Sequence, residues 1–218
     1  KAIPADLNEG DYFNVLKFSD SVEQWKPESI LASPDTIASA IDYVDAIRAY
    51  GGTNIDQGLK DALALITRAE TPTLGKMIVF LTDGQATVGT TDNELIVKGV
   101  SERNPEQVVT IHSIGFGADS DFQLLKTLSL QNKGLARKVY EDSDAALQLQ
   151  GFYAQISELL LRNVNITYLN NSVEPASLVK DKSYDYYNGG EVMVVGKINP
   201  QLLLKAEGSS ESDEEMEQ

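Results

Sequence analysis

Lys76-Met77-Ile78-Val79-Phe80-Leu81-Thr82-Asp83-Gly84 is the stretch on which the fold turns. Its five consecutive apolar residues, three of them β-branched or aromatic, read as a strand buried on both faces, of the kind found in the middle of a parallel sheet. The strand ends on a carboxylate, and the glycine after it permits a sharp turn. In open α/β sheets ligands sit beyond the carboxyl ends of the strands, so Asp83 lies where such a sheet binds.

Downstream, a polar loop over Gln85–Asn93 precedes an amphipathic helix with Leu95, Ile96 and Val100 on its apolar side. A second apolar strand, Val108-Val109-Thr110-Ile111-His112-Ser113-Ile114, ends on Gly115-Phe116-Gly117. Asp119-Ser120-Asp121 can cap a helix carrying Phe122, Leu125 and Leu128, and Ala136–Tyr140 reads as a short strand. Glu141–Asp144 caps a further helix with Ala146, Leu149, Phe152 or Tyr153, Ile156 and Leu160 along one side. Upstream, Tyr12–Phe18 reads as one strand, and Trp25-Lys26-Pro27 with Ile30-Leu31-Ala32 as a loop or short edge strand. Ser33-Pro34 opens a helix with Ile37, Ile41, Val44 and Ile47 at spacings of three or four. It stops at Tyr50-Gly51-Gly52, and another helix with Leu59, Leu63 and Ile66 comes at once.

This alternation predicts an α/β domain over residues 1–161, a doubly wound, mostly parallel sheet with flanking helices. The period then changes. Val164–Tyr168, Tyr184–Tyr187, Val192–Ile198 and Leu202–Ala206 read as short strands of a partial, antiparallel β-rich module over 162–207. Residues 208–218 form an acidic run expected to be a disordered tail or linker.

Of the 218 residues 42% are apolar, which suits a globular chain, and no window reaches the roughly 18 apolar residues that would span a bilayer. Eighteen basic against 33 acidic residues leave a net charge of −15, which argues against nucleic acid or an anionic membrane as partner and for cations or basic proteins. The absence of cysteine excludes disulfides and thiolate chemistry without fixing a compartment. The chain opens Lys1-Ala2-Ile3-Pro4, with neither methionine nor a secretory leader, as after removal of a leader or, the favoured reading, as in an internal piece of a longer protein.

Nucleophilic catalysis finds little support. The single histidine, His112, sits in an apolar strand, no Gly-x-Ser-x-Gly elbow exists, and no phosphate-cradling loop is present. The acidic pairs Asp119/Asp121 and Asp142/Asp144 each precede a helix, where capping accounts for them; a hydrolase using them as acid and base is the competing idea. Hard-cation binding remains. Thr53, in the loop before a helix, and Asp83 would present oxygens at one edge of the sheet, as Mg²⁺ or Ca²⁺ requires. Two other roles stay open: Thr53 as a helix cap, and Asp83 as acceptor for turn amides.

Gly51-Gly52-Thr53-Asn54, Val79-Phe80-Leu81-Thr82-Asp83-Gly84 and Ile114-Gly115-Phe116-Gly117, in this order, resemble a von Willebrand factor type A domain. Asp11-Tyr12-Phe13-Asn14, Lys133-Gly134-Leu135-Ala136-Arg137 and the block from Glu141 to Tyr153 resemble more narrowly the inter-alpha-trypsin inhibitor heavy chains, and the strands after 163 look like the segment that comes after the A domain there. The resemblance runs from about Leu7 to Ile198. It implies a metal-ion-dependent adhesion site built from an Asp-x-Ser-x-Ser triplet, a threonine and an aspartate; Thr53 and Asp83 match the last two. No Asp-x-Ser-x-Ser occurs in the chain. The resemblance also implies that the central first strand is missing, so that the piece alone should fold poorly.

In function, the resemblance implies a non-catalytic, secreted binding module that associates with extracellular proteins and hyaluronan-containing matrix and with a protease-inhibitor subunit. Its divalent cation, Mg²⁺ or Ca²⁺, is expected to bind weakly or not at all here, because Thr53 and Asp83 supply at most two of the usual six or more oxygens. Two glycosylation sequons, at Asn165 and Asn170, fit a secreted protein. The alternative is an intracellular A-type domain serving as a scaffold in a multiprotein assembly.

Overall fold

Val109–Phe116 is wholly buried up to its last residue, because strands pair with it on both sides and helices cover both its faces. In this computed structural model the elements are β1 (Tyr12–Phe13), β2 (Leu16–Phe18), β3 (Val22–Gln24), β4 (Ile30–Leu31), α1 (Pro34–Ala46), α2 (Ile55–Arg68), β5 (Lys76–Thr82), α3 (Asn93–Arg103), β6 (Val109–Phe116), α4 (Phe122–Gln131), β7 (Ala136–Val139), α5 (Ala145–Ile156), β8 (Leu159–Val164), a 3₁₀ turn (Pro175–Ser177) and β9 (Tyr184–Tyr187). The structure describes residues 4, 7–8, 10–69, 75–140, 144–164, 166–168, 172–178, 184–187 and 193–199. The sequons' Asn165 and Asn170, the acidic run 208–218 and the strand expected at Leu202–Ala206 lie outside them. The chain divides into two units, Lys1–Glu158 and Leu159–Gln218.

In the first unit the main sheet is parallel, ordered β5-β6-β7, with Lys76 opposite Val109 through Thr82 opposite Gly115. Side chains alternate between its faces. Ile78, Phe80, Val109 and Ile111 meet α2, α3 and α4 through Leu59, Leu63, Ile96, Val100, Leu125 and Leu128. Ile114 and Val139 meet Phe152, Tyr153 and Ile156 of α5 on the other. This is the expected α/β arrangement, with helices on both faces of a parallel sheet.

Buried polar side chains stitch these layers together. The Asn104 amide donates to the Val109 carbonyl and to Asn132 Oδ1, both at 2.7 Å, and accepts from the Val109 N–H at 3.1 Å. His112 is a satisfied core imidazole: fully buried, its Nδ1 accepts from the Leu135 N–H at 3.1 Å, and its ring meets Phe152 edge-on. Gly134 brings the turn after α4 so close to β6 that a Cβ would collide with the Ile111 carbonyl oxygen.

Several elements differ from the sequence expectation. β5 is an edge of this sheet, not its middle: β6 is its one strand neighbour among the described residues, Leu81 is 37% exposed, and Met77 and Val79 are half-buried. Apolarity alone does not distinguish an edge strand packed by one flank from a central one. The strand expected over Tyr12–Phe18 is broken at Asn14, whose side chain takes the place of a strand neighbour. Its Oδ1 accepts from the Val15 and Lys26 N–H groups, and its amide donates to the Lys26 and Glu28 carbonyls. The two pieces pair separately, β1 with β4 and β2 with β3, all antiparallel. β3 itself was not expected, being short and half polar. Leu95 points outward, 56% exposed, leaving Ile96, Gly99 and Val100 as the buried side of α3. On α1, Ile37, Ile41 and Val44 are half-buried and Ala40 alone is fully buried.

At the chain's change of period, α5 ends at Ile156 and β8 begins at Leu159, so Leu160 belongs to a strand and Val164 closes that strand where it was expected to start one. β8 pairs antiparallel with β9 in the second unit. Over Val192–Ile198 the described residues form only one bridge, Ile198 to Val173.

Candidate functional site

Three loops converge at the carboxyl end of β5. The first is the turn Ser19-Asp20-Ser21 of the β2–β3 hairpin; the second is Gly51–Asn54, before α2; the third is Asp83–Asp92, between β5 and α3. Asp20 Oδ1 accepts the Gly52 N–H at 2.6 Å, and the Asn54 N–H donates to the Ser19 carbonyl at 2.8 Å. The second and third loops exchange hydrogen bonds through Thr53. Its N–H donates to Thr87 Oγ1 at 2.8 Å, and its carbonyl accepts from the Thr87 and Val88 N–H groups at 2.9 and 3.3 Å. Gly52 sits where they meet: a Cβ there would collide with Val88 and come within 2.9 Å of Asp20 Oδ1 and Thr87 Oγ1.

Both simpler roles left open for Thr53 and Asp83 are filled by neighbours. The cap of α2 is Asn54, whose Oδ1 accepts from the Gln57 N–H at 3.1 Å. The turn amide after β5 is held by Thr82, whose Oγ1 accepts from the Gly84 N–H at 3.3 Å. Thr53 Oγ1 faces Gly84, 3.7 Å from where a Cβ would stand, and Asp83 is exposed beside it. Among the described residues neither the Thr53 hydroxyl nor the Asp83 carboxylate has a hydrogen-bond or ion-pair partner. They are hard oxygens, right in kind for Mg²⁺ or Ca²⁺ but too few to enclose one. No group of three His, Asp or Glu residues able to hold a metal occurs among the described residues.

One described member of each acidic pair caps a helix, while no such bond is made by Asp119. Asp121 caps α4 through the Leu124 N–H at 3.0 Å and accepts from the Asn93 amide at 2.7 Å; Asp144 caps α5 through the Ala146 and Leu147 N–H groups. Asp142 lies outside the described residues. Sequence reasoning missed Asp20, Asp56, Thr87 and Thr90, which fasten the loops. Their partners lie more than thirty residues away in the chain, and the one signal available was the density of hydroxyl and carboxyl groups in Ser19–Ser21 and Thr87–Asp92.

The first unit is an α/β domain, a parallel sheet with helices on both faces and with Thr53 and Asp83 on adjacent loops at its carboxyl edge. The chain belongs to the von Willebrand factor type A domain family, which it matches over residues 1–138. It is 38% identical to human inter-alpha-trypsin inhibitor heavy chain H6 over 91% of its own length and 16% of that protein's. To mouse inter alpha-trypsin inhibitor, heavy chain 4, it is 37% identical over 93% of its length and 22% of that protein's. The chain thus spans about a fifth or less of these relatives. Among solved structures, a von Willebrand factor type A protein from Catenulispora acidiphila superposes with a TM-score of 0.65 at 17% identity, over 90% of this chain and 47% of that one. Proximal thread matrix protein 1 of the mussel byssus gives 0.55 at 19% identity, over 71% and 38%. No helix among the described residues is long and apolar enough to cross a membrane.

Proposed function

We propose that this chain is a non-catalytic binding module of a longer, secreted protein, working at the carboxyl edge of its sheet. It associates there with extracellular proteins and hyaluronan-containing matrix, and with a protease-inhibitor subunit. The observation that carries the reading is the identity to inter-alpha-trypsin inhibitor heavy chains over nine-tenths of the chain. The unengaged Thr53 hydroxyl and Asp83 carboxylate support a cation-bridged contact. Thr53 and Asp83 would hold a divalent cation through two oxygens, with others from an Asp-x-Ser-x-Ser segment outside these 218 residues, and the cation would supply positive charge for a carboxylate of the partner. N-glycans at Asn165 and Asn170 belong to the same reading.

Calorimetric titration with Mg²⁺ tests it. The 218-residue chain should bind at millimolar concentration or not at all. The longer protein carrying an Asp-x-Ser-x-Ser should bind at least tenfold more tightly, and Asp83→Ala should remove that gain together with Mg²⁺-dependent retention on hyaluronan-containing matrix. Micromolar binding by the 218-residue chain, or Asp83→Ala without effect in the longer protein, overturns the assignment.

A further inference from the structure

Asp56 stands in the first turn of α2, only 5% exposed, three residues beyond Thr53. Its Oδ2 takes two short bonds, from Lys60 Nζ at 2.6 Å and from Thr90 Oγ1 at 2.7 Å. Its Oδ1 is buried without a hydrogen-bond partner, and Gly99 of α3 closes over it, so that a Cβ on that residue would come within 3.5 Å. A buried carboxylate is costly unless paired, and Lys60, one turn along the same helix, answers the charge. That pair would suffice if the carboxylate served α2 alone. The bond from Thr90 does something else: it reaches 34 residues along the chain into the later part of the Asp83–Asp92 loop.

That loop is otherwise held nearer its middle. Thr87 and Val88 bond to Thr53, and Gly89 lies against the Asn54 side chain, where a Cβ would come within 2.6 Å of Oδ1. Among the described residues no bond joins the Thr53 and Asp83 side chains or ties either to a third group, so their spacing is inherited from the loops that bear them, which Thr53's backbone fastens at Thr87 and Val88. We propose that Asp56, with Lys60 and Thr90, is a positioning residue: a buried latch that holds the Asp83–Thr90 loop against the start of α2 and thereby fixes Asp83 relative to Thr53. The inference rests on the reading of those two residues as cation ligands.

The test compares Thr90→Val, which removes the donated bond and keeps the Asp56–Lys60 pair, with Thr90→Ser, which keeps the donor. Amide hydrogen exchange is measured over Gln85–Gly89 and over β6 in the longer protein, with Mg²⁺ affinity measured by calorimetry on the same samples. Thr90→Val should speed exchange in the loop at least tenfold while β6 stays within twofold, and should weaken Mg²⁺ binding about tenfold; Thr90→Ser should restore both. Loop exchange within twofold of wild type overturns the latch whatever the metal does. A loosened loop with unchanged Mg²⁺ affinity overturns the positioning role. A wild-type protein that binds no Mg²⁺ overturns the cation reading, while the exchange data still decide the latch.

Discussion

Glu23 faces Lys17 across the β2–β3 hairpin, with Lys17 Nζ 3.0 Å from its Oε2 and the Tyr50 hydroxyl donating to its Oε1 at 3.0 Å. The bond from Lys17, then that from Tyr50, holds the carboxyl below its ordinary value, and the same bond to Glu23 raises Lys17. A carboxyl depressed in the folded state contributes stability that is present above its unfolded pKa, roughly 4.3, and is lost as pH falls through the folded value. The Lys17 contribution is present below its unfolded pKa and lost as pH rises through the raised one. Glu23 is exposed and Lys17 half-buried, so salt should screen much of the effect. Carboxyl NMR titration should find Glu23 below the usual range, moving up in Lys17→Met and, by less, in Tyr50→Phe; an ordinary value in wild type contradicts the arrangement. Such pairs escape sequence reading because Lys17, Glu23 and Tyr50 meet only after the hairpin closes. Thr53 and Asp83 were legible as oxygen donors by type and flanking glycines, whereas Asp56 looks like any acidic residue in a helix's first turn until burial and Thr90 give it a task.

Among the elements, helices with full apolar stripes and firm caps were readable, and α2 and α4 keep their expected buried faces through Leu59, Leu63, Leu125 and Leu128. Short strands were not, because their pairing is set by distant chain. Leu159-Leu160-Leu161 suits a helix or a strand equally, and the register with Tyr184–Tyr187 decides for the strand. The turn from α4 to β7 shows how tightly such contacts bind. The Ile111 N–H donates to the Asn132 carbonyl at 3.2 Å and the Ser113 N–H to the Leu135 carbonyl at 2.9 Å, with Gly134 pressed between. Gly134→Ala should therefore cost about 2–4 kcal/mol, because the Ile111 carbonyl is backbone that cannot rotate away. Urea denaturation checks this: the midpoint should fall with the slope unchanged, and a loss under about 0.5 kcal/mol contradicts the close approach.

For the molecule as a whole, the consequential feature is that among the described residues β5 stands at an edge of the sheet. Its outer edge is that of an apolar strand paired on one side among the described residues, with Leu81 exposed and Phe80 stacked on Phe18 of β2 at 5.1 Å. Exposed apolar edges template pairing with other chains, and a charge on the edge suppresses it. Leu81→Lys should lower concentration-dependent self-association in sedimentation velocity without shifting the denaturation midpoint by more than about 0.5 kcal/mol, as expected of a surface change; equal association in both proteins contradicts an open edge. The α/β class, the order of the principal elements and the chemical kind of the candidate ligands were all written in local pattern, since the periods of helix and strand and the choice of hydroxyl or carboxylate are properties of neighbouring residues. Which strand lies at the centre, which threonine and aspartate are left unengaged, and which buried carboxylate steadies their loops depended on folding. The pairing of β5 with β6 and the bond from Thr90 to Asp56 are contacts made across more than thirty residues, and no local period records them.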